Sequence, residues 1–172
     1  MKRISLAVAL LFTVVTCAAA TPRDIVIDYL ALYYAARAEN ELLVKALLER
    51  GAPVNAPDVD SAGELSFSAV NFDSPLQVAA DNGDIVIVKL LLERKPRVDH
   101  RCCTRPAALG LATDAGHVEI VRLLLAAGAD PTIRSEYDDP AKPETPIEVA
   151  KRKGYAEITR LLLAARPPAR NP

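Results

Sequence analysis

Four segments of the chain carry the same run of apolar positions. They read LVKALLE (Leu43–Glu49), IVKLLLE (Ile87–Glu93), IVRLLLA (Ile120–Ala126) and ITRLLLA (Ile158–Ala164). With Ile120, Val121, Leu123, Leu124 and Leu125 all apolar, such a helix is too broadly hydrophobic to have one dry face. Neighbours must cover it on several sides. Each run follows a shorter, Ala-rich stretch and a turn residue, which is Glu39 in the first unit and Gly83, Gly116 and Gly154 in the others. The pattern predicts a helix, a tight turn and a second helix. It is clearest in SPLQVAADNGDIVIVKLLLERK, from Ser74 to Lys95.

Gly116 follows Gly83 by 33 residues and Gly154 follows Gly116 by 38, so about five residues are inserted before the last unit. Gly83 follows Glu39 by 44, which implies a longer insertion after the first unit. Ser74 and Thr145 stand where an N-cap is needed, and Pro75 and Pro146 suit the first helical position. The third unit has Ala107-Ala108 there instead, so Thr104, with Pro106 shortly after it, is the expected cap. In the first unit Leu30-Ala31 occupy this place. Asp24 or Asp28 is expected to cap the incoming helix. After the last unit, Pro167-Pro168 stop the helix.

These motifs resemble ankyrin repeats. Ser74-Pro75-Leu76 and Thr145-Pro146-Ile147 match the family's TPLH-type start, Ala79-Ala80 its small pair, and Gly116-His117 its turn. Gly51-Ala52-Pro53-Val54-Asn55 and Gly128-Ala129-Asp130 match its finger. The resemblance spans residues 29–166 and implies an all-α solenoid of about four helix-turn-helix repeats with finger loops. The repeats are expected at about 29–56, 69–101, 102–134 and 140–166, with a tail at 167–172. Each unit is too small to bury its own apolar face, so neighbours support one another.

Composition narrows the class. The chain is 51% hydrophobic and 25% charged, with a formal net charge of −1. Nothing marks the basic face that nucleic-acid binding needs. Met1-Lys2-Arg3, the apolar stretch Ile4–Val15 and Ala18-Ala19-Ala20 read as a signal peptide over residues 1–20, cleaved before Thr21. The mature domain then runs over 21–172, without a membrane span, in the periplasm or outside the cell. Val14-Val15-Thr16-Cys17 offers a weaker alternative, a lipoprotein anchored through Cys17. Such compartments permit disulfides, and Cys102-Cys103 would be the remaining cysteines.

The resemblance also implies where partners bind: on the finger tips and on the concave face of the first helices. On the finger side the candidates are Val70, Asn71 and Asp73; Cys103, Thr104 and Pro106; and Ala141, Lys142 and Glu144. At the helix ends they are Arg37 and Ala38, Asp81 and Asn82, Asp114 and Ala115, and Arg152 and Lys153. Within the long finger 57–73, Phe67 and Phe72 either tuck back on the repeats or form a partner-binding lip. In the second insertion, Asp138-Asp139 read as a solvated acidic turn, because no spaced calcium-ligand loop surrounds them. Cys102-Cys103 has three readings: thiols without a role, a vicinal disulfide that senses redox state, or a metal site with His100. The last lacks a fourth ligand. Arg97, Arg101 and Arg105 would increase the reactivity of the two thiols. His117, at the turn, reads as structural.

No nucleophile elbow, zinc-protease motif, P-loop or Rossmann fingerprint occurs. The expectation is a monomeric, cofactor-free, non-catalytic module that binds a protein of unknown identity in the periplasm and supports oxidative-stress defence. The alternatives are an immunity protein that neutralises a secreted toxin and a secreted effector that binds a host protein.

Overall fold

The computed structural model describes residues 22–56, 73–101, 105–135 and 142–165. Among these residues lie eight helices: α1 (Pro22–Arg37), α2 (Glu41–Glu49), α3 (Pro75–Asn82), α4 (Ile85–Leu92), α5 (Ala108–Ala115), α6 (Val118–Ala126), α7 (Pro146–Arg152) and α8 (Ala156–Ala164). The odd-numbered helices pack on one another in series and form an inner layer. The even-numbered helices stack behind them as an outer layer. The chain is thus an all-α helical repeat solenoid of four helix pairs.

Residue size sets this layering. Ala35, Ala79, Ala112 and Ala150 occupy one equivalent place on the inner helices, and none is more than 2% exposed. Small side chains there let successive inner helices approach closely. On the outer helices Leu47, Leu91, Leu124 and Leu162 fill the space between layers, with Val44, Val88, Val121 and Ile158 beside them. One contiguous core therefore runs through all four units, as expected where no unit closes its own.

The helix starts show where local signals act and where they fail. Ser74 caps α3 and Thr145 caps α7, each in a capping box completed by Gln77 or Glu148. The Thr145 amide and hydroxyl hold the Glu148 carboxyl below its usual range. Neither Asp24 nor Asp28 caps α1. The helix begins at Pro22, so Asp24 falls in the first turn and Asp28 inside the helix. Thr104 is not the cap of α5 either: the N-cap is Ala107, which has no side-chain bond to give. Gln77 bonds instead to the carbonyl just before this cap. Its Nε2 donates to the Pro106 carbonyl at 2.9 Å while its Oε1 accepts from the Ser74 amide at 2.8 Å.

The turns are left-handed. Gly83 and Gly116 end α3 and α5 at φ 84° and 82°. Glu39 takes the same conformation in the first unit at φ 53°, although it carries a side chain. L-residues pay about 1–2 kcal/mol for this geometry and glycine does not, though glycine loses more freedom on folding. Glu39→Gly is therefore expected to raise stability by about 0.5–1 kcal/mol in urea unfolding. A lower midpoint in the variant would refute the assignment of strain to Glu39.

Candidate protein-binding face

Equivalent residues of the four repeats line up at the C-terminal ends of the inner helices: Arg37, Asp81, Asp114 and Arg152, followed by Ala38, Asn82, Ala115 and Lys153. All lie at helix ends because the next residue or two must turn the chain into the outer layer. Apart from the half-buried Asp114, these residues are exposed. Ion pairs tie the row to the finger bases and to the next repeat.

In the second repeat, Arg105 reaches back from the following finger. Its guanidinium lies 2.9 Å from Asp73 and 3.4 Å from Asp81, so it joins a finger base to a helix end. Asp73 is 9% exposed, and its Oδ1 has no hydrogen-bond partner among the described residues. Burial pushes the Asp73 carboxyl above its usual range, against the pull of Arg105. In the fourth repeat the equivalent two places hold Glu144 and Arg152, which pair directly at 2.9 Å. Between these repeats, Lys153 bridges back to Asp114, 2.7 Å from its carboxylate and 2.9 Å from its carbonyl. His117 Nε2 donates to the Asp81 carbonyl at 3.1 Å. The histidine thus has a structural place, at the N-cap of α6.

The fingers are linked in register. Asn55 Oδ1 accepts the Arg97 amide at 2.7 Å, and one repeat later Asp99 Oδ1 accepts the Asp130 amide at 3.0 Å. Burial raises the Asp99 carboxyl. Ser135 and Glu144 exchange two backbone bonds of 2.9 Å, which close the base of the insertion between them. Arg101 donates to the Arg134 carbonyl at 2.8 Å. Two of the arginines expected to activate Cys102-Cys103, Arg101 and Arg105, therefore bind elsewhere. His100 is half-buried, and burial lowers its pKa, helped by Arg97 and opposed by Asp73.

Of the site residues read from the sequence, Asp73, Asp81, Asn82, Asp114 and Arg152 fall on this one face. Asn82 is exposed beside the Asp81 network, and Lys142 is exposed next to the finger base. Phe67, Val70, Asn71, Phe72, Cys102, Cys103 and Thr104 lie outside the described residues, as do residues 1–20, Cys17, Ala141 and Asp138-Asp139. Arg105 belongs to this face, whereas the sequence pattern assigns it only to the two thiols. Its signal was present: two acids at places where the fourth repeat has an acid and a base call for an added cation. Among the described residues, no three His, Cys, Asp or Glu side chains group as metal ligands. None of the described helices is long and apolar enough to cross a membrane.

A stack of paired helices whose polar row runs along the inner-helix ends and fingers is the layout of a repeat protein that presents a binding face. The family described as ankyrin repeats (3 copies) matches residues 32–135. The chain belongs to the ankyrin repeat family, whose modules mediate protein–protein interaction. It is 31% identical over 130 residues to the B-cell lymphoma 3 protein homolog of Mus musculus, which covers 76% of this chain and 26% of that protein. It is 26% identical over 163 residues to the ankyrin repeat protein YahD of Escherichia coli (strain K12), with 71% of this chain and 72% of that protein covered. The ankyrin repeat and KH domain-containing protein mask of Drosophila melanogaster is 33% identical over 94 residues, only 2% of its own length. The chain therefore spans about a quarter of the mouse relative but most of the bacterial one.

Proposed function

We propose that the chain is a non-catalytic adaptor that binds a protein in the bacterial periplasm through the inner-helix ends and finger bases. The observation that carries this is the continuous polar row from Arg37 through Asp81 and Asp114 to Arg152, set on a rigid two-layer stack. The row mixes signs, and where its pairs are exposed on both sides, as between Arg105 and Asp81, they contribute little to stability, about 0–1 kcal/mol each. A partner of complementary charge exchanges these pairs for its own at small cost to the fold. The membership of the family and the likeness to a bacterial ankyrin protein support the reading. The basic, apolar and small-residue segments of Met1–Ala20 support export, and the Cys102-Cys103 pair supports a role in oxidative defence.

Photo-crosslinking in intact cells tests it. A crosslinker at Ala115 is expected to capture a defined periplasmic protein, and one at Glu93, in the turn after α4, is not. Asp81→Arg with Asn82→Arg should reduce capture at least about tenfold, because like charges then face the partner, while the thermal midpoint moves little. Equal capture from both probe positions, or capture only in the cytoplasm, would sink the proposal.

A further inference from the structure

The third and fourth repeats each set a ring on the turn glycine of the repeat before. The His117 ring lies over Gly83, 2.6 Å from where a β-carbon would stand, and the Tyr155 ring lies over Gly116 at 3.1 Å. Both rings belong to the N-cap residue of an outer helix, with Glu119 or Glu157 two places further on. These acids enter a ladder of alternating charge along the outer layer. Arg122 pairs with Glu119 of its own helix and with Glu157 of the next repeat, each at 3.4 Å. Arg160 pairs with Glu157 of its own helix at 2.9 Å.

Both series break off at the last repeat. No described residue comes within 4 Å of the place a β-carbon would take on Gly154. The Arg160 side chain is 74% exposed, with a described acid on one side only. Leu163 is 65% exposed, whereas its equivalents Leu92 and Leu125 are half-buried. An open groove of 490 Å³ joins these places. Ala150, Gly154, Ala156 and Leu163 line it, and Lys151 and Arg160 give it positive charge.

The groove thus lacks what Tyr155 and Glu157 supply one repeat earlier: a ring and an acid, two residues apart at the start of a helix. An acid there also suits the helix that carries it, since the first turn favours negative charge. Residues 166–172, Arg-Pro-Pro-Ala-Arg-Asn-Pro, contain neither group. The insertion after Ser135 is anchored by Ser135 and Glu144 at the finger end of α7, and Gly154 lies beyond the other end. A second copy stacked head to tail would present α2, which starts Asn40-Glu41-Leu42, without a ring and with leucine where the acid is needed.

We infer that the open end of the last repeat is a second docking surface, which takes the first turn of a helix from another protein. A tyrosine or histidine at the N-cap of that helix sits on Gly154, and an acid two residues later pairs with Arg160. This surface is separate from the row of inner-helix ends.

Nuclear magnetic resonance of the full chain with a synthetic peptide tests it. The probe copies Lys153–Arg160, KGYAEITR, with blocked ends. Saturable shifts of the Gly154 and Thr159 amides are expected. Arg160→Glu should weaken binding about fivefold, and a probe with lysine in place of its glutamate should recover most of that loss. A probe with alanine in place of tyrosine should not saturate. Gly154→Asn keeps the left-handed turn, which asparagine tolerates, but covers the seat, so the shifts should vanish while the thermal midpoint moves little. Asp81→Arg with Asn82→Arg should bind the probe as the wild type does. Shifts that never saturate, equal binding of the alanine probe, or no recovery on swapping charges overturn the inference. So does binding that appears only after residues 167–172 are removed, because the tail is then the occupant. Shifts of the same amides with protein concentration alone overturn it too, because they mark a second copy.

Discussion

Gly83→Ala is expected to destabilise the protein by about 2–4 kcal/mol, the largest loss from adding a single methyl group at any of its turns. Two costs combine. At φ 84° a β-carbon meets the following peptide group, at about 1–2 kcal/mol. The methyl would also stand 2.6 Å from Cε1 and 2.8 Å from Nε2 of His117, so the ring must move. That ring belongs to the next repeat and donates to the Asp81 carbonyl, so moving it breaks a bond between repeats. Overpacking of this kind adds about 1–3 kcal/mol.

The array contains its own controls. Gly116→Ala meets the Tyr155 ring at 3.1 Å and should cost less than Gly83→Ala. Gly154 has the same backbone conformation, φ 75°, but nothing within 4 Å of the added carbon. Gly154→Ala should therefore cost the backbone term alone, about 1–2 kcal/mol. Urea unfolding of the three variants measures the order. Three equal losses would show that the ring contacts contribute nothing. In that case His117→Ala would not relieve Gly83→Ala either.

Gln77→Leu is expected to cost about 2–4 kcal/mol and to loosen the coupling between the second and third repeats. Gln77 is 0% exposed and uses both ends of its amide. Its Oε1 completes the capping box of its own helix, and its Nε2 holds the Pro106 carbonyl. Leucine fits the volume but abandons a buried N–H and a buried C=O, at about 1–3 kcal/mol each before relaxation. The measurement is the free energy and slope of urea unfolding. A lower slope with a broader transition is expected if the repeats no longer unfold together. A loss below about 1 kcal/mol, with the slope unchanged, would mean that water replaces the amide without penalty.

Gln77 also shows how far the sequence could be read. Ser74 and Pro75 announce a capped helix because N-capping is a matter of residues three apart. The capped start of α3 at Ser74-Pro75 is therefore legible in the letters, as are Thr145-Pro146 and the turn at Gly83, whereas the part played by Gln77 is not read there. The bond from Gln77 to Pro106 spans 29 residues and depends on how one repeat is set against the next. The same holds for the candidate face. Asp81, Asp114 and Arg152 could be assigned to helix ends by phasing alone. That Arg105 joins Asp73 to Asp81, and that Lys153 turns back onto Asp114, could not.

The first unit marks the limit most clearly. Its turn at Glu39 was placed by alignment, and the structure gives that residue the left-handed conformation that glycine holds elsewhere. Its first helix, however, was expected to start at an aspartate and starts at Pro22. Tyr34 and Leu43 stand at places that are core in the other three repeats, yet they are 55% and 45% exposed. Burial belongs to the neighbour as much as to the residue, and only the stacked structure shows that no described helix packs on that side of the first repeat. The periodicity of the chain by itself determined the repeats, their second helices and the caps at Ser74 and Thr145, because those rest on contacts within one turn of helix. Tertiary structure alone decided which charges meet and which apolar side chains stay open, because those contacts join residues a whole repeat apart, across insertions of unequal length.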